Sequence, residues 1–204
     1  VRSRGLGDVY KRQLRESGLE HTIISPNVFM DAWFTMLVER AVDAGEPVTL
    51  VGEARRRHSF VAEADVARFI QAAVRHPAAR NATLVVGGPD PLSWRDVVGV
   101  YEEATGRSIE VRTIPPGAQI PGLPEVVSQL AAGFDGYDSP IPMDEACATY
   151  GVELTSARAF AKAWESSITT IGSKTPFDRL DLNSLIGFRP VDRAGARQFL
   201  LTLD

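Results

Sequence analysis

Short strand-like runs alternate with helix-like segments along the first half of this chain, and that alternation limits the folds open to it. The β-branched run HTIIS at residues 21–25 has the composition of a strand, and Pro26 ends it. Across residues 29–44 apolar side chains recur three and four positions apart, which is the spacing of an amphipathic helix. The run EPVTLVG at 46–52 follows as a second strand. This order of elements predicts an α/β fold with a parallel sheet.

The same alternation continues beyond the second strand. Residues 65–75 repeat the helical spacing, and ATLVVGG at 82–88 has the composition of a buried strand that ends in glycines. Ser93 and Asp96 then form an acidic variant of the capping box at the start of another helix. We expect HTIIS and TLVV to be neighbouring strands, packed under the helices at 28–44 and 65–75.

The C-terminal part of the chain has a different composition. Residues 115–124 hold six prolines and glycines, which predicts a loop. MDEACATYG at 143–151 and the later TSARAFAKAW are typical of helices, with Thr155 as the expected N-cap of the second. We therefore assign a C-terminal lobe to residues 115–169 and leave 170–204, where no clear period appears, as a tail of unassigned structure.

The composition excludes several classes of protein. A net charge of −4 and a pI near 5.5 give no general attraction to nucleic acid, so we expect none to bind the chain by itself. No apolar run reaches the roughly 20 residues that span a bilayer, so no membrane partner is expected. Cys147 is the single cysteine, so no internal disulfide forms. The expectation is a soluble, cytoplasmic protein.

Three sequence blocks follow one another in an order that is typical of one protein family. They are SGLEHTIISPNVFMDAW, then SFVAEADVARFIQAAVRHP, then NATLVVGGPDPLSWRDVVGVYEEATGRSIEV, with a weaker fourth block, YGVELTSARAFAKAW. Together they resemble the C-terminal half of the NmrA-like, atypical short-chain dehydrogenase/reductase family, over about residues 14–111. Each block alone is weak, but three in order and at the family's spacing are fairly specific.

The resemblance implies a cofactor and two classes of function. Family members have a Rossmann core that binds NAD(P)(H), and we favour NADP(H) here. The first class is an oxidoreductase acting on a small carbonyl, quinone or enone. The second is a regulatory protein that senses the dinucleotide and does no chemistry. The resemblance does not address the oligomeric state.

One loop is the candidate cofactor-binding site. Pro26, Asn27, Val28 and Phe29 follow a sheet strand, at the edge where such sheets bind ligands. The resemblance implies that this loop lies beside the nicotinamide, where Asn27 and Phe29 shape the pocket. The alternative is a plain strand-to-helix turn with Phe29 in the core, and the sequence leaves both open.

The dinucleotide phosphate loop of the family is not found in this sequence. Such a loop joins a strand to a helix through spaced glycines, so that backbone amides and the helix N-terminus hold the pyrophosphate. Neither G-x-G-x-x-G nor G-x-x-G-x-x-G occurs. We therefore expect residues 14–114 to form the C-terminal half of an NAD(P)-binding domain with part of a substrate lobe. This incomplete Rossmann sheet is expected to have a bare edge and no useful affinity for NAD(P)H.

The N-terminal segment raises a separate question, because Tyr10 and Lys11 stand side by side. Dehydrogenases of this superfamily use Tyr-x-x-x-Lys, which puts both side chains on one face of a helix. Adjacent residues point about 100° apart on a helix, so this pair does not serve that chemistry. DVYKRQ is also what GAT GTG TAT AAG AGA CAG encodes, which resembles the transposon mosaic end used in sequencing libraries. We interpret residues 1–13 as a translated adapter.

Other polar residues have weaker functional interpretations. Arg55, Arg56 and Arg57 are suited to a 2′-phosphate, but a solvated loop is the better interpretation. His58 has no Asp or Ser partner at a telling distance in the sequence, and Asp65 is expected to cap the helix that starts there. Structural roles are expected for five further residues: His21, His76, Cys147, Trp33 and Trp94.

Overall fold

The computed structural model describes residues 6–171 and 198–201. The strands in this part of the chain are β1 (His21–Pro26), β2 (Val48–Val51), β3 (His58–Ser59), β4 (Ala82–Val86), β5 (Pro91–Leu92), β6 (Val111–Ile114) and β7 (Gln198–Leu201). The α-helices are α1 (Leu6–Glu16), α2 (Met30–Phe34), α3 (Arg40–Ala44), α4 (Glu63–Arg75), α5 (Trp94–Thr105), α6 (Glu125–Gly133), α7 (Asp144–Tyr150) and α8 (Ala157–Ile171).

The largest described sheet is parallel, with strand order β4-β1-β7. Strands β1 and β4 run side by side in register, from Thr22 opposite Ala82 to Pro26 opposite Val86. This confirms that HTIIS and TLVV are neighbouring strands. All six residues of β1 are buried, as expected for a parallel strand covered on both faces.

Strand β7 pairs with the other side of β1, so β1 is not an edge strand of this sheet. The register runs from His21 opposite Gln198 to Ile24 opposite Leu201. The backbone groups of β1 therefore have parallel partners on both sides, which removes an exposed edge. The run QFLL is too short to show a helical or alternating period, so no strand was expected there. The rest of the predicted tail, apart from residues 170–171 at the end of α8, lies outside the described residues.

Two smaller strand pairs complete the described sheets. Strand β2 pairs with β6 in parallel, and β3 pairs with β5 in antiparallel. Each pair joins a segment before α4 to a segment after it. The fold is thus mixed α/β with parallel pairs, as the alternation of elements predicted.

The N-terminal helix α1 precedes β1 in the chain. It begins at Leu6 and ends at Glu16, and Gly18 follows with a φ of 73°. The side chain of Lys11 is 8% exposed, whereas that of Tyr10 is 49% exposed. The two neighbours thus lie on different faces of α1, as the helical rotation between adjacent residues requires.

The helix expected across residues 29–44 contains a wider turn. Between α2 and α3 the chain forms a π-helical turn, Thr35–Glu39. The carboxylate of Glu39 is buried there and accepts hydrogen bonds from the Thr35 hydroxyl at 2.6 Å and from the Tyr101 hydroxyl. Burial raises the pKa of Glu39 and also that of Tyr101. A polar cluster therefore joins this turn to α5 inside the core.

An aromatic cluster fills the space between α2, α5 and α8. Phe34 is fully buried, and its ring centroid lies 5.1 Å from that of Phe60 and 5.9 Å from that of Trp94. Tyr101 and Phe160 complete the cluster at 6.1 and 5.9 Å from Phe34. These edge-on contacts hold the helices together at the centre of the molecule.

Asp65 does not cap its own helix. Helix α4 begins at Glu63 after Ala62, and its first backbone amide donates to the Asp31 carboxylate of α2 at 2.8 Å. The fully buried Asp65 carboxylate instead accepts from the backbone amide of Thr155 at 2.7 Å and from its hydroxyl at 2.9 Å.

The expected N-cap role of Thr155 is therefore also wrong. Helix α8 begins two residues later, and the hydroxyl of Ser156 accepts from the backbone amide of Ala159 at 3.1 Å. Thr155 instead carries the contact between α4 and the segment that leads into α8. The expected capping box of Ser93 and Asp96 is confirmed at the start of α5.

Replacing Asp65 with alanine is expected to lower the free energy of unfolding by about 1–3 kcal/mol, because partly buried donors of Thr155 lose their acceptor. Arg68, which also donates to this carboxylate, loses its partner too. Denaturant titration measures the loss. The matched control is alanine at the exposed Glu145 of α7, which should change stability by less than about 0.5 kcal/mol. Equal effects of the two substitutions would contradict this account.

Candidate functional site

The loop Pro26–Phe29 lies at the carboxyl edge of the main sheet. Pro26 ends β1 directly opposite Val86, the last residue of β4, so the carboxyl ends of both strands meet there. The backbone amide of Asn27 donates to the carbonyl of Val86 at 2.8 Å. Ligands of open α/β sheets bind at this edge, which is the position that the sequence analysis gave to the loop.

The second half of this loop belongs to the core. The backbone amide of Val61 donates to the carbonyl of Val28 at 2.9 Å, and that of Met30 donates to the carbonyl of Val61 at 2.9 Å. Val28 and Phe29 are 9% and 8% exposed. Of the two interpretations that the sequence left open, the described contacts of Phe29 are those of a core side chain.

Asn27 is the polar centre of the loop. Its half-buried carboxamide donates from Nδ2 to the carbonyl of Ser59 at 3.1 Å and to the carbonyl of Ser139 at 2.9 Å. The hydroxyl of Ser139 lies 3.2 Å from the same nitrogen. One side chain therefore connects the end of β1 to β3 and to the segment that contains Ser139.

His58 lies directly behind this network and is fully buried. Its Nδ1 is 2.8 Å from the hydroxyl of Ser139, and its Nε2 is 3.1 Å from the carbonyl oxygen of Phe134. The rings of Phe134 and Tyr137 pack against the imidazole at 5.3 and 5.5 Å between centroids. His58 thus has the serine partner that the sequence analysis did not find.

The network depends on residues that are far apart in the chain. Ser139 is 112 positions from Asn27, and 81 from His58. It lies in the segment GFDGYDSPIP, whose Gly, Asp, Ser and Pro residues are typical of a loop but do not indicate which groups the loop contacts. Sequence spacing therefore carried no signal for this contact.

Two glycines after β4 allow the backbone to approach closely at this edge. A Cβ atom built on Gly88 would lie 1.7 Å from the carbonyl oxygen of Phe60, and one on Gly87 would lie 2.8 Å from the Cβ of Ser59. Since no side chain fits there, the glycines let the segment that carries His58 lie against the end of β4.

The arginine loop faces the same C-terminal segment. Arg56 pairs with Asp138 at 2.9 Å, and the backbone amide of Arg57 donates to the other oxygen of that carboxylate at 2.7 Å. These hydrogen bonds hold the pKa of Asp138 below its usual range. Arg57 also approaches Asp96 at 3.8 Å, and Arg55 is exposed. Two of the three arginines therefore meet acidic groups of the protein itself.

An aromatic surface borders the network. Trp33 is half-buried and lies one helical turn after Phe29, to whose carbonyl its backbone amide donates at 3.1 Å. Its ring meets that of Phe134 edge-on at 4.7 Å. Tyr137 is 48% exposed. Trp33 and Tyr137 thus add partly accessible rings near the polar network.

The remaining candidates have structural surroundings. His21 is buried, with Nδ1 3.1 Å from the carbonyl of Leu19, and the ring of His76 accepts from the backbone amide of Ala78 at 3.3 Å. Cys147 is half-buried, and burial raises the pKa of its thiol. Trp94 lies in the aromatic cluster. Within residues 6–171 and 198–201, no three metal-ligating side chains cluster and no helix is long and apolar enough to cross a membrane.

Acidification is expected to destabilise the protein through His58, because burial lowers the pKa of this imidazole below its usual value of about 6.5 in the unfolded chain. At a pH between those two pKa values the unfolded chain binds a proton that the folded protein does not. Stability should therefore be complete above about pH 6.5 and fall as the pH decreases below it, by at most about 1.4 kcal/mol per pH unit.

Denaturant titrations at several pH values measure this slope. In His58→Asn the contribution of the imidazole is absent, so the pH dependence below about 6.5 should be smaller than in the wild-type chain. An identical slope in the two proteins would show that His58 is not the group responsible.

The chain matches one family model over most of its length. The model of the NmrA-like family matches residues 10–171, a range that begins inside the segment 1–13. Bifunctional pinoresinol-lariciresinol reductase 2 of Linum usitatissimum is 29% identical over 109 residues, which are 52% of this chain and 33% of that protein. The chain thus spans about a third of the length of this curated relative.

Solved structures share the fold at low identity. An NADPH-dependent quinone oxidoreductase from Escherichia coli, complexed with NADPH, matches with a TM-score of 0.64 and 12% identity, over 76% of this chain and 57% of that one. The leucoanthocyanidin reductase–NADPH complex from Vitis vinifera matches with a TM-score of 0.58 and 16% identity, over 78% and 58%. These likenesses establish a Rossmann-like fold. Since the family model covers well over half of the 204 residues, the chain belongs to the NmrA-like family.

Proposed function

We propose that this chain forms the substrate-side part of an NAD(P)(H)-dependent oxidoreductase that acts on a small carbonyl, quinone or enone. The observation that carries this proposal is the loop Pro26–Phe29, at the carboxyl edge of β1 and β4 within the NmrA-like match. The similar proteins support it, because they are named as reductases or as an NADPH-dependent oxidoreductase.

In this proposal the Pro26–Phe29 loop lies beside the nicotinamide. Asn27 contributes polar groups there, while Val28 and Phe29 support the loop from the core. NADP(H) is the favoured cofactor, in keeping with the two NADPH complexes of the same fold. Bound dinucleotide supplies or accepts the hydride, and the residues of this chain orient its nicotinamide end and exclude water from it.

The pyrophosphate is held by residues outside this sequence in our proposal. The chain has no glycine-rich dinucleotide loop and spans about a third of its curated relative. We propose that a longer protein carries that loop upstream of Leu14, and that residues 1–13 here are a translated adapter.

A dinucleotide sensor without catalysis is the second candidate. In our proposal the tyrosine and lysine used as general acid and its partner in this superfamily belong to the part of the longer protein upstream of Leu14, and their presence or absence there would distinguish the two candidates.

Turnover by the longer protein distinguishes the two candidates. Purified protein is mixed with NADPH or NADH and with a panel of quinones, enones and small carbonyls, and loss of the reduced cofactor is followed by absorbance. The oxidoreductase proposal predicts consumption with at least one acceptor. Binding of a dinucleotide without turnover would favour the sensor, and no binding of either dinucleotide would refute both.

Asn27→Ala in that longer protein is expected to lower kcat/KM by about tenfold or more, which corresponds to about 1.4 kcal/mol of lost transition-state stabilisation. The physical reason is that the carboxamide fixes the loop against the carbonyls of Ser59 and Ser139. Gln129→Ala removes an exposed carboxamide from α6 and serves as the matched control, with activity unchanged. Equal activity of wild type and Asn27→Ala would remove Asn27 from the site.

A further inference from the structure

The positions of the hydrogens in the network of Asn27, Ser139 and His58 follow from the carbonyl group at which this network ends. A carbonyl oxygen only accepts, so the contact of 3.1 Å between His58 Nε2 and the Phe134 carbonyl requires a hydrogen on Nε2. In a neutral imidazole Nδ1 is then an acceptor. The Ser139 hydroxyl, 2.8 Å away, must donate its single hydrogen to that nitrogen.

This assignment decides what the Asn27 carboxamide can do. Since the Ser139 hydroxyl hydrogen is used by His58, the hydroxyl oxygen can accept from Asn27 Nδ2 at 3.2 Å but cannot also donate to Oδ1 at 3.4 Å. Both hydrogens of Nδ2 already point toward the Ser59 carbonyl and toward the Ser139 carbonyl and hydroxyl. A flipped carboxamide would place its oxygen against two carbonyl oxygens, so one orientation is selected.

We propose that Asn27 Oδ1 is the specificity-determining acceptor of the site and that His58 is its positioning residue, acting through Ser139. Within the described residues no protein donor remains for Oδ1 once the Ser139 hydrogen is assigned. Asn27 is only half-buried, which leaves part of its side chain accessible. The site therefore selects a ligand with an N–H or O–H donor at this point over an isosteric ligand that has an acceptor there.

This inference rests on the proposed function only in naming the ligand as the nicotinamide end of a dinucleotide or the substrate beside it. The hydrogen-bond order itself belongs to the folded chain. His58 is surrounded by the rings of Phe60, Phe134 and Tyr137 and has the Asp138 carboxylate nearby, so burial and that charge act in opposite directions on its protonation.

Nitrogen NMR of the 204-residue chain tests the hydrogen-bond order without any cofactor. With histidine labelled by ¹⁵N, His58 at neutral pH should show the pattern of a neutral ring with the hydrogen on Nε2. With asparagine labelled, Ser139→Ala should shift the Asn27 side-chain amide resonances and speed their exchange with water. Ser139→Thr, which keeps the hydroxyl, should restore both. Ser108→Ala removes an exposed hydroxyl far along the sequence and should change neither.

Two outcomes of these spectra would overturn the inference. One is a His58 ring that carries its hydrogen on Nδ1. The other is an Asn27 amide that is unchanged in Ser139→Ala while the melting transition stays cooperative. Neither of these two spectral outcomes depends on turnover. A longer protein without oxidoreductase activity would therefore refute the proposed function without changing the result of the NMR test.

Binding by the longer protein tests the selectivity. Asn27→Asp keeps the shape of the side chain but puts a carboxylate oxygen where Nδ2 donates, and Ser139→Ala loosens the carboxamide. For ligand pairs that differ in a donor or acceptor group, the wild type should prefer the donor by about tenfold or more, and Ser139→Ala should reduce that ratio. If Ser139→Ala and Ser139→Thr both kept the wild-type preference for the donor ligand, His58 would not position Asn27 through Ser139.

Discussion

Replacing Phe34 with alanine should lower the free energy of unfolding by about 3–5 kcal/mol, the largest stability effect expected of a single substitution here. Phe34 is fully buried and meets four aromatic rings, those of Phe60, Trp94, Tyr101 and Phe160. Alanine would leave a cavity at the junction of α2, α5 and α8, and closing it would require three helices to move. Denaturant titration followed by circular dichroism measures the change.

The control for Phe34 is an apolar side chain that lies in solvent. Leu19 is 58% exposed, and Leu19→Ala should change the free energy of unfolding by less than about 0.5 kcal/mol. A loss below about 1 kcal/mol in Phe34→Ala would show that the aromatic cluster is not the centre of the core.

Elements with strong local signals were predictable from the sequence. The β-branched run of β1, the apolar spacing of α4 and the capping box at Ser93 each depend on neighbouring residues, and each is present. Pairing of β1 with β4 was expected from the alternation of strands and helices together with the resemblance to the NmrA-like family. The position of the Pro26–Phe29 loop at the sheet edge followed from the same alternation, because parallel strands share a carboxyl edge.

Contacts between distant segments were not predictable. Asp65 and Thr155 were both expected to cap helices, yet they bind each other across 90 positions, because a buried carboxylate accepts from whichever donors the fold brings to it. The hydrogen bond between His58 and Ser139 spans 81 positions and could not be predicted for the same reason. Strand β7 was missed because its four residues are too few to show a period.

The second large effect concerns dinucleotide affinity. We expect the 204-residue chain to bind NADPH at least about 100-fold more weakly than a longer protein with the glycine-rich loop. Charge-assisted hydrogen bonds to the pyrophosphate contribute about 1.5–3 kcal/mol each, and loss of two already reaches that factor. In our proposal the Pro26–Phe29 loop contacts only the nicotinamide end. Calorimetric titration of both proteins with NADPH and NADH measures the ratio.

We expect the chain to fold in this experiment, because β7 pairs with the side of β1 that β4 leaves open. The chain alone should therefore show a cooperative melting transition, which is recorded on the same sample before the titration. A folded chain that fails to bind then reports on the missing phosphate loop and not on disorder.

We propose that this chain contacts only the nicotinamide end of a bound dinucleotide. Calorimetric titration of the folded 204-residue chain with NADPH tests this proposal most directly. We expect no saturation in the micromolar range for the chain, and micromolar saturation for the longer protein. Micromolar binding of NADPH or NADH by the chain itself, with a cooperative melting transition, would contradict it.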